Sequence, residues 1–166
     1  RTEVHIADGA AFAAAAAARG DTYDLVICDS TDCSAAERAS GTLYTDAFLV
    51  SVAALVAPGG FFCRNYTSLL WNTDEAVATL PRYAAHFAHA APFVWMQPTY
   101  SSGSYSALLC GGTEPSVRDL AAIAATLGEL DYWTPAVHKA AFALPAFVAR
   151  RMSSPAPPAP PTSDES

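Results

Sequence analysis

Apolar positions in this chain fall into short continuous runs separated by stretches with helical spacing. Tyr23–Cys28 is one such run, and it passes straight into Asp29-Ser-Thr-Asp32; a run of this length without alternation predicts a buried strand. Phe61–Cys63, Phe93–Met96 and Tyr105–Cys110 predict three more strands, and Glu3–Ile6 a short one. Ser101-Ser102-Gly103 is a turn, so the last two strands should pair antiparallel. Between the strands, Asp8-Gly9 turns into an alanine-rich helix over residues 10–19 that stops at Gly20. Thr45 should cap a helix running to Val56 and ended by Pro58-Gly59-Gly60. A further helix is expected from Thr73 to about His89, with Pro81 kinking or splitting it. Ser116–Gly128 reads as a helix, and His138–Arg151 as short helices interrupted by Pro145.

Strands alternating with helices and closing on a hairpin predict an α/β fold: a mostly parallel sheet with helices on both faces and a C-terminal antiparallel hairpin. Residues 1–152 form that one domain. Residues 153–166 are rich in proline and lack large apolar side chains, so a disordered or partly polyproline tail is expected.

Composition narrows the function. The chain has 166 residues, 52% hydrophobic and 15% charged, which suits a single core. Nine basic against sixteen acidic residues leave a formal charge of −7. That balance disfavours nucleic acid and anionic membrane and favours cationic ligands, polyamines among them. No apolar run reaches the roughly 18 residues of a membrane span. Cys28, Cys33, Cys63 and Cys110 show no Cys-x-x-Cys spacing and three lie in predicted strands, so buried reduced thiols and a cytoplasmic setting are expected. The neighbouring acids Asp29 and Asp32 should hold Cys33 protonated.

Asp29 and Asp32 are the most informative residues. They stand at the carboxyl edge of a predicted strand, where open α/β sheets place ligands. Such a pair can hold a cation, coordinate a metal or take a proton from a nucleophile; it can equally be a pair of turn-forming or solvated acids. No obvious set of further metal ligands accompanies it, and no metal is expected. Asp8 can cap the helix after it, or accept from an exocyclic amine such as that of adenine. Tyr100 puts a phenol in a loop at a sheet end. His86 and His89 are spaced to share a helix face, as packing or surface residues. Trp95, Tyr132, Trp133 and the Phe142–Phe147 segment are expected in the core.

Four ordered segments carry a resemblance: Val4-His-Ile-Ala-Asp8-Gly9-Ala; Leu25-Val-Ile-Cys-Asp29-Ser-Thr-Asp32 with Leu43-Tyr44-Thr45; Pro98-Thr-Tyr100-Ser-Ser-Gly103; and Leu130-Asp-Tyr-Trp-Thr-Pro-Ala-Val-His138-Lys-Ala-Ala-Phe142-Ala-Leu-Pro145. The chain resembles the C-terminal part of spermidine synthases, the polyamine aminopropyltransferases. The resemblance implies a Rossmann-like, methyltransferase-type domain. It also implies aminopropyl transfer from decarboxylated S-adenosylmethionine, a co-substrate, to putrescine, with no prosthetic group. By position, Asp8 and Gly9 would contact the adenine, Asp29 would accept the proton, and Asp29, Asp32 and Tyr100 would hold the amine. Cys33-Ser-Ala-Ala36 replaces the family's Pro-x-Gly-Pro loop, and Asn65 stands where glutamine is usual. Another amine acceptor, or a non-catalytic polyamine-binding relative, are the alternatives these departures raise. The family's glycine-rich cofactor loop and N-terminal β-domain lie upstream of the motifs seen here. The chain is therefore expected to be a fragment, inactive alone, whose full-length form assembles as a homo-oligomer.

Overall fold

A computed structural model describes residues 1–30, 41–115 and 119–153. Helix α1 (Gly9–Arg19) leads to strand β1 (Tyr23–Cys28); a 3₁₀ turn (Gly41–Tyr44) and helix α2 (Asp46–Leu55) precede strand β2 (Val56–Asn65). Helix α3 (Thr73–Ala84), the hairpin strands β3 (His89–Met96) and β4 (Ser104–Gly111), and helices α4 (Leu120–Leu127), α5 (Pro135–Ala141) and α6 (Ala146–Ser153) follow.

The anticipated caps form. Asp8 accepts from the Ala11 N–H at 2.8 Å and Thr45 from the Phe48 N–H at 3.2 Å, each satisfying a donor that the helix leaves open. Gly20 closes α1 with φ of 79°, a left-handed conformation that glycine adopts without penalty.

The four described strands make one mixed sheet in the order β1-β2-β4-β3. β1 and β2 run parallel, while β4 is antiparallel to both β2 and β3. Alternation along these strands sorts the side chains onto two faces. Phe62, Leu108 and Cys110 take one face, in a core shared with α1, α2, α3 and α6. Phe93, Trp95, Tyr105 and Leu109 take the other, on which α5 lies. The α/β architecture with helices on both faces is thus the one expected.

Several boundaries differ. Glu3–Ile6 is not a strand: no described strand pairs with it, and Val4 and Ile6 are exposed, so strand-forming residues alone did not suffice. β2 begins at Val56, directly after α2, rather than at Phe61, and its register against β1 jumps between Tyr23–Val56 and Leu25–Phe61. Helix α3 runs through Pro81 but ends at Ala84, short of His89. The chain leaves the helix because the Phe87 ring enters the core and stacks on Phe62 with centroids 5.8 Å apart. His86 and His89 therefore share no helix face; His89 opens β3 and lies 3.2 Å from Glu114. The start of the Ser116–Gly128 helix and the proline-rich stretch from residue 154 lie outside the described residues.

Candidate active site

Asp29 follows the last residue of β1, at the carboxyl edge of the sheet. Three ties assemble the surroundings. Asn65, the last residue of β2, donates from Nδ2 to the Ser30 backbone oxygen at 2.6 Å. Arg64, only 1% exposed, donates from Nη1 to the Leu43 oxygen at 3.2 Å and lies 4.1 Å from the Tyr44 ring centroid. Gly9 faces Leu43, whose Cδ2 would sit 3.5 Å from a Cβ at position 9. The segments around Asp8, Asp29 and Leu43 thus converge at one end of the sheet. Asp32 and the Cys33–Ala36 loop lie outside the described residues.

Tyr100 sits in the β3–β4 turn, held by hydrogen bonds from its N–H to the Gln97 oxygen at 3.1 Å and from the Gly103 N–H to its own oxygen at 2.9 Å. Because β4 is antiparallel to β2, this turn lies at the sheet edge where β1 and β2 end. One strand intervenes between β1 and β4, so the two sites are about 10 Å apart in strand spacing alone. Tyr100 is half exposed, its ring 5.0 Å from that of Tyr105.

The electrostatics agree with an anionic edge. Burial, and secondarily the charge of Asp29, push the Cys63 thiol up to about 11. Burial likewise pushes Cys110 up to about 12. Cys28, Cys63 and Cys110 are free thiols, poorly suited to nucleophilic work because the thiolate is the reactive form.

Two features were not read from the sequence. Arg64 is a buried cation held by carbonyl oxygens and aromatic rings; an arginine within Phe61-Phe-Cys-Arg-Asn65 was the signal available. The second is a cavity of about 690 Å³ between α5, the hairpin and the segment after β2. Trp95, Tyr132, Trp133 and Phe142, expected in the core, line it instead. Tyr132 is 59% exposed, and Phe147 is also exposed at a neighbouring hollow. The rings of Trp95, Trp133 and Phe142 meet other rings around a space rather than a closed layer.

The family model of the spermine/spermidine synthase domain matches residues 1–119. The chain belongs to that family. Among relatives, it is 29% identical over 164 residues to spermidine synthase 1 of Datura stramonium, covering 93% of this chain and 52% of that protein. It is 27% identical over 165 residues to putrescine N-methyltransferase 2 of Nicotiana tabacum, covering 93% of this chain and 45% of that protein. A spermidine synthase solved in complex with the transition-state analogue AdoDATO superposes with a TM-score of 0.77 at 25% identity, over 92% of this chain and 51% of that one. The chain spans about half the length of these relatives. Members of the spermine/spermidine synthase domain family thus carry names for two different transfers, to one of which the structural neighbour belongs.

Proposed function

We propose that the protein to which this chain belongs transfers an aminopropyl group from decarboxylated S-adenosylmethionine to putrescine, giving spermidine and methylthioadenosine. Asp29, at the end of β1 beside the Asn65–Ser30 tie, is the observation that carries this reading. A primary alkylamine, like the lysine side chain with its pKa of about 10.4, is protonated at neutral pH and cannot attack until a base removes a proton. Asp29 takes that proton. The amine nitrogen then forms its bond to the propyl carbon next to the sulfonium, the C–S bond breaks, and its electron pair returns to sulfur as a neutral thioether. Asp32 and Tyr100 hold the amine, and Asp8 and Gly9 meet the adenine. The likeness to a spermidine synthase bound to AdoDATO supports a donor of the S-adenosyl class.

Methyl transfer to putrescine is the second reading, favoured by the tobacco relative. Mass-spectrometric product analysis of the whole protein decides between them, with putrescine and spermidine competing and either donor supplied. Spermidine with methylthioadenosine supports aminopropyl transfer, and Asn in place of Asp29 should then lower turnover by about 10²–10⁴-fold. N-methylputrescine would replace the proposal with the second reading. A longer polyamine would change the acceptor, and amine binding without product would mark a non-catalytic relative.

A further inference from the structure

Asp8, Gly9, Asp29 and Tyr100, given roles above, do not line the cavity beside the hairpin. Its volume, about 690 Å³, falls within the roughly 300–1,000 Å³ of small-molecule sites. Trp95 and Tyr105 occupy paired positions on β3 and β4, Phe93 stands next on the same face of β3, and Trp133 and Phe142 close the space from the C-terminal segment. Among the described residues lining it there is no Asp or Glu.

Tyr105, in the wall of the cavity, carries ring contacts on to Tyr100 in the β3–β4 turn. Rings run in sequence from Tyr100 to Tyr105 at 5.0 Å, to Trp95 at 5.5 Å, to Phe93 at 5.7 Å and to Phe142 at 5.6 Å. Asn65, which binds the residue after Asp29, pairs with Ala107 on β4, two residues from Tyr105. Strand alternation puts Asn65, Tyr105 and Trp95 on one face of the sheet.

We infer that this cavity is a subsite for an uncharged aromatic arm on the acceptor, so that the protein accepts arylalkyl primary amines. The inference rests on the proposed transfer and uses the same step, with the attacking amine at Asp29 and its arm lying along the ring path. Charge decides the class of arm. A second ammonium entering this space would shed its water and meet no carboxylate, with ring faces as the main compensation. An aryl group sheds no such hydration and gains by burying its apolar surface.

The test is calorimetric titration of the whole protein with propylamine, 2-phenylethylamine and neutral 2-phenylethanol. 2-Phenylethylamine should bind about 10- to 100-fold more tightly than propylamine, the gain from burying one aryl group. Leu109→Trp, which fills the space, and Phe142→Ala, which strips a wall, should each remove most of that advantage while propylamine binding persists. That persistence shows that both variants still fold. Asp29→Asn should weaken 2-phenylethylamine and leave 2-phenylethanol unchanged, linking arm and base in one ligand. Equal binding of the two amines overturns the inference, as does an advantage untouched by both cavity variants. Binding of 2-phenylethanol at the cavity together with an Asp29-independent amine also overturns it, because the cavity would then serve some other ligand. Failure of the underlying reading is separate: no methylthioadenosine would form from decarboxylated S-adenosylmethionine with any amine, whatever the cavity binds.

Discussion

The side-chain amide of Asn65 bridges two parallel strands at the point where the candidate base emerges, through the 2.6 Å bond to the Ser30 oxygen. Its own oxygen Oδ1 is buried with no partner among the described residues. Asn65→Asp removes the donor, sets a carboxylate against the Ser30 oxygen and adds a negative charge near Asp29. The expected loss is about 1–3 kcal/mol, read from urea unfolding.

Gly60 lies against the neighbouring strand. A Cβ there would stand 2.7 Å from the Asp24 backbone oxygen, and backbone cannot step aside as a side-chain tip can. Gly60→Ala should destabilise by about 2–3 kcal/mol, because relieving the clash means shifting the β1–β2 register, whereas Gly41→Ala, in open space, should cost under about 1 kcal/mol. Thermal unfolding of both variants makes the comparison.

Asp8 is an observed cap and a candidate contact to adenine, and two substitutions separate these roles. Asparagine caps about as well as aspartate, so Asp8→Asn should leave stability within about 0.5 kcal/mol, while Asp8→Ala should cost about 1 kcal/mol. If the side chain accepts from the adenine amine, Asp8→Ala in the whole protein should bind methylthioadenosine about tenfold more weakly, and Asp8→Asn, whose amide oxygen still accepts, should lose less. Unchanged binding in both variants would assign Asp8 to the helix.

A buried and a half-buried thiol give the fold an alkaline limit. Cys63 and Cys110 lie near 11 and 12 in the fold against 9.0 as free groups, so the unfolded chain releases these protons first. Their stabilising contribution is complete below pH 9 and falls as pH rises toward 11 and 12, with each group adding a slope of up to about 1.4 kcal/mol per pH unit. Unfolding midpoints should fall as pH rises from 9 to 11, and Cys63→Ala or Cys110→Ala should flatten the decline.

The sequence revealed what is decided locally. The caps at Asp8 and Thr45, the strand Tyr23–Cys28 and the β3–β4 hairpin follow from side chains within a few residues of one another, and each formed, although the strand is largely exposed rather than buried as its apolar run predicts. Glu3–Ile6 and the end of α3 depended on distant partners, an absent ladder in one case and the Phe62 ring for Phe87 in the other. The aromatic residues around the cavity failed for a related reason. Periodicity shows that Trp95 and Phe142 face inward, but not whether the opposite wall meets them. Asp29 was legible because a carboxylate at a strand end is a local pattern, while Arg64 was not, since its reach to Leu43 and Tyr44 is set by the turn that brings them near.

β1 is the outermost strand of the described sheet, and its outward face is bare for so apolar a segment: Ile27 is 64% exposed and Leu25 52%. An edge of this kind offers unpaired backbone groups beside greasy side chains, the template on which strands from other molecules add. In a concentrated preparation of this 166-residue chain, that border is where self-association would start. Lysine in place of Leu25 would act there as a gatekeeper, leaving the pairing with β2 on the other side of the strand in place.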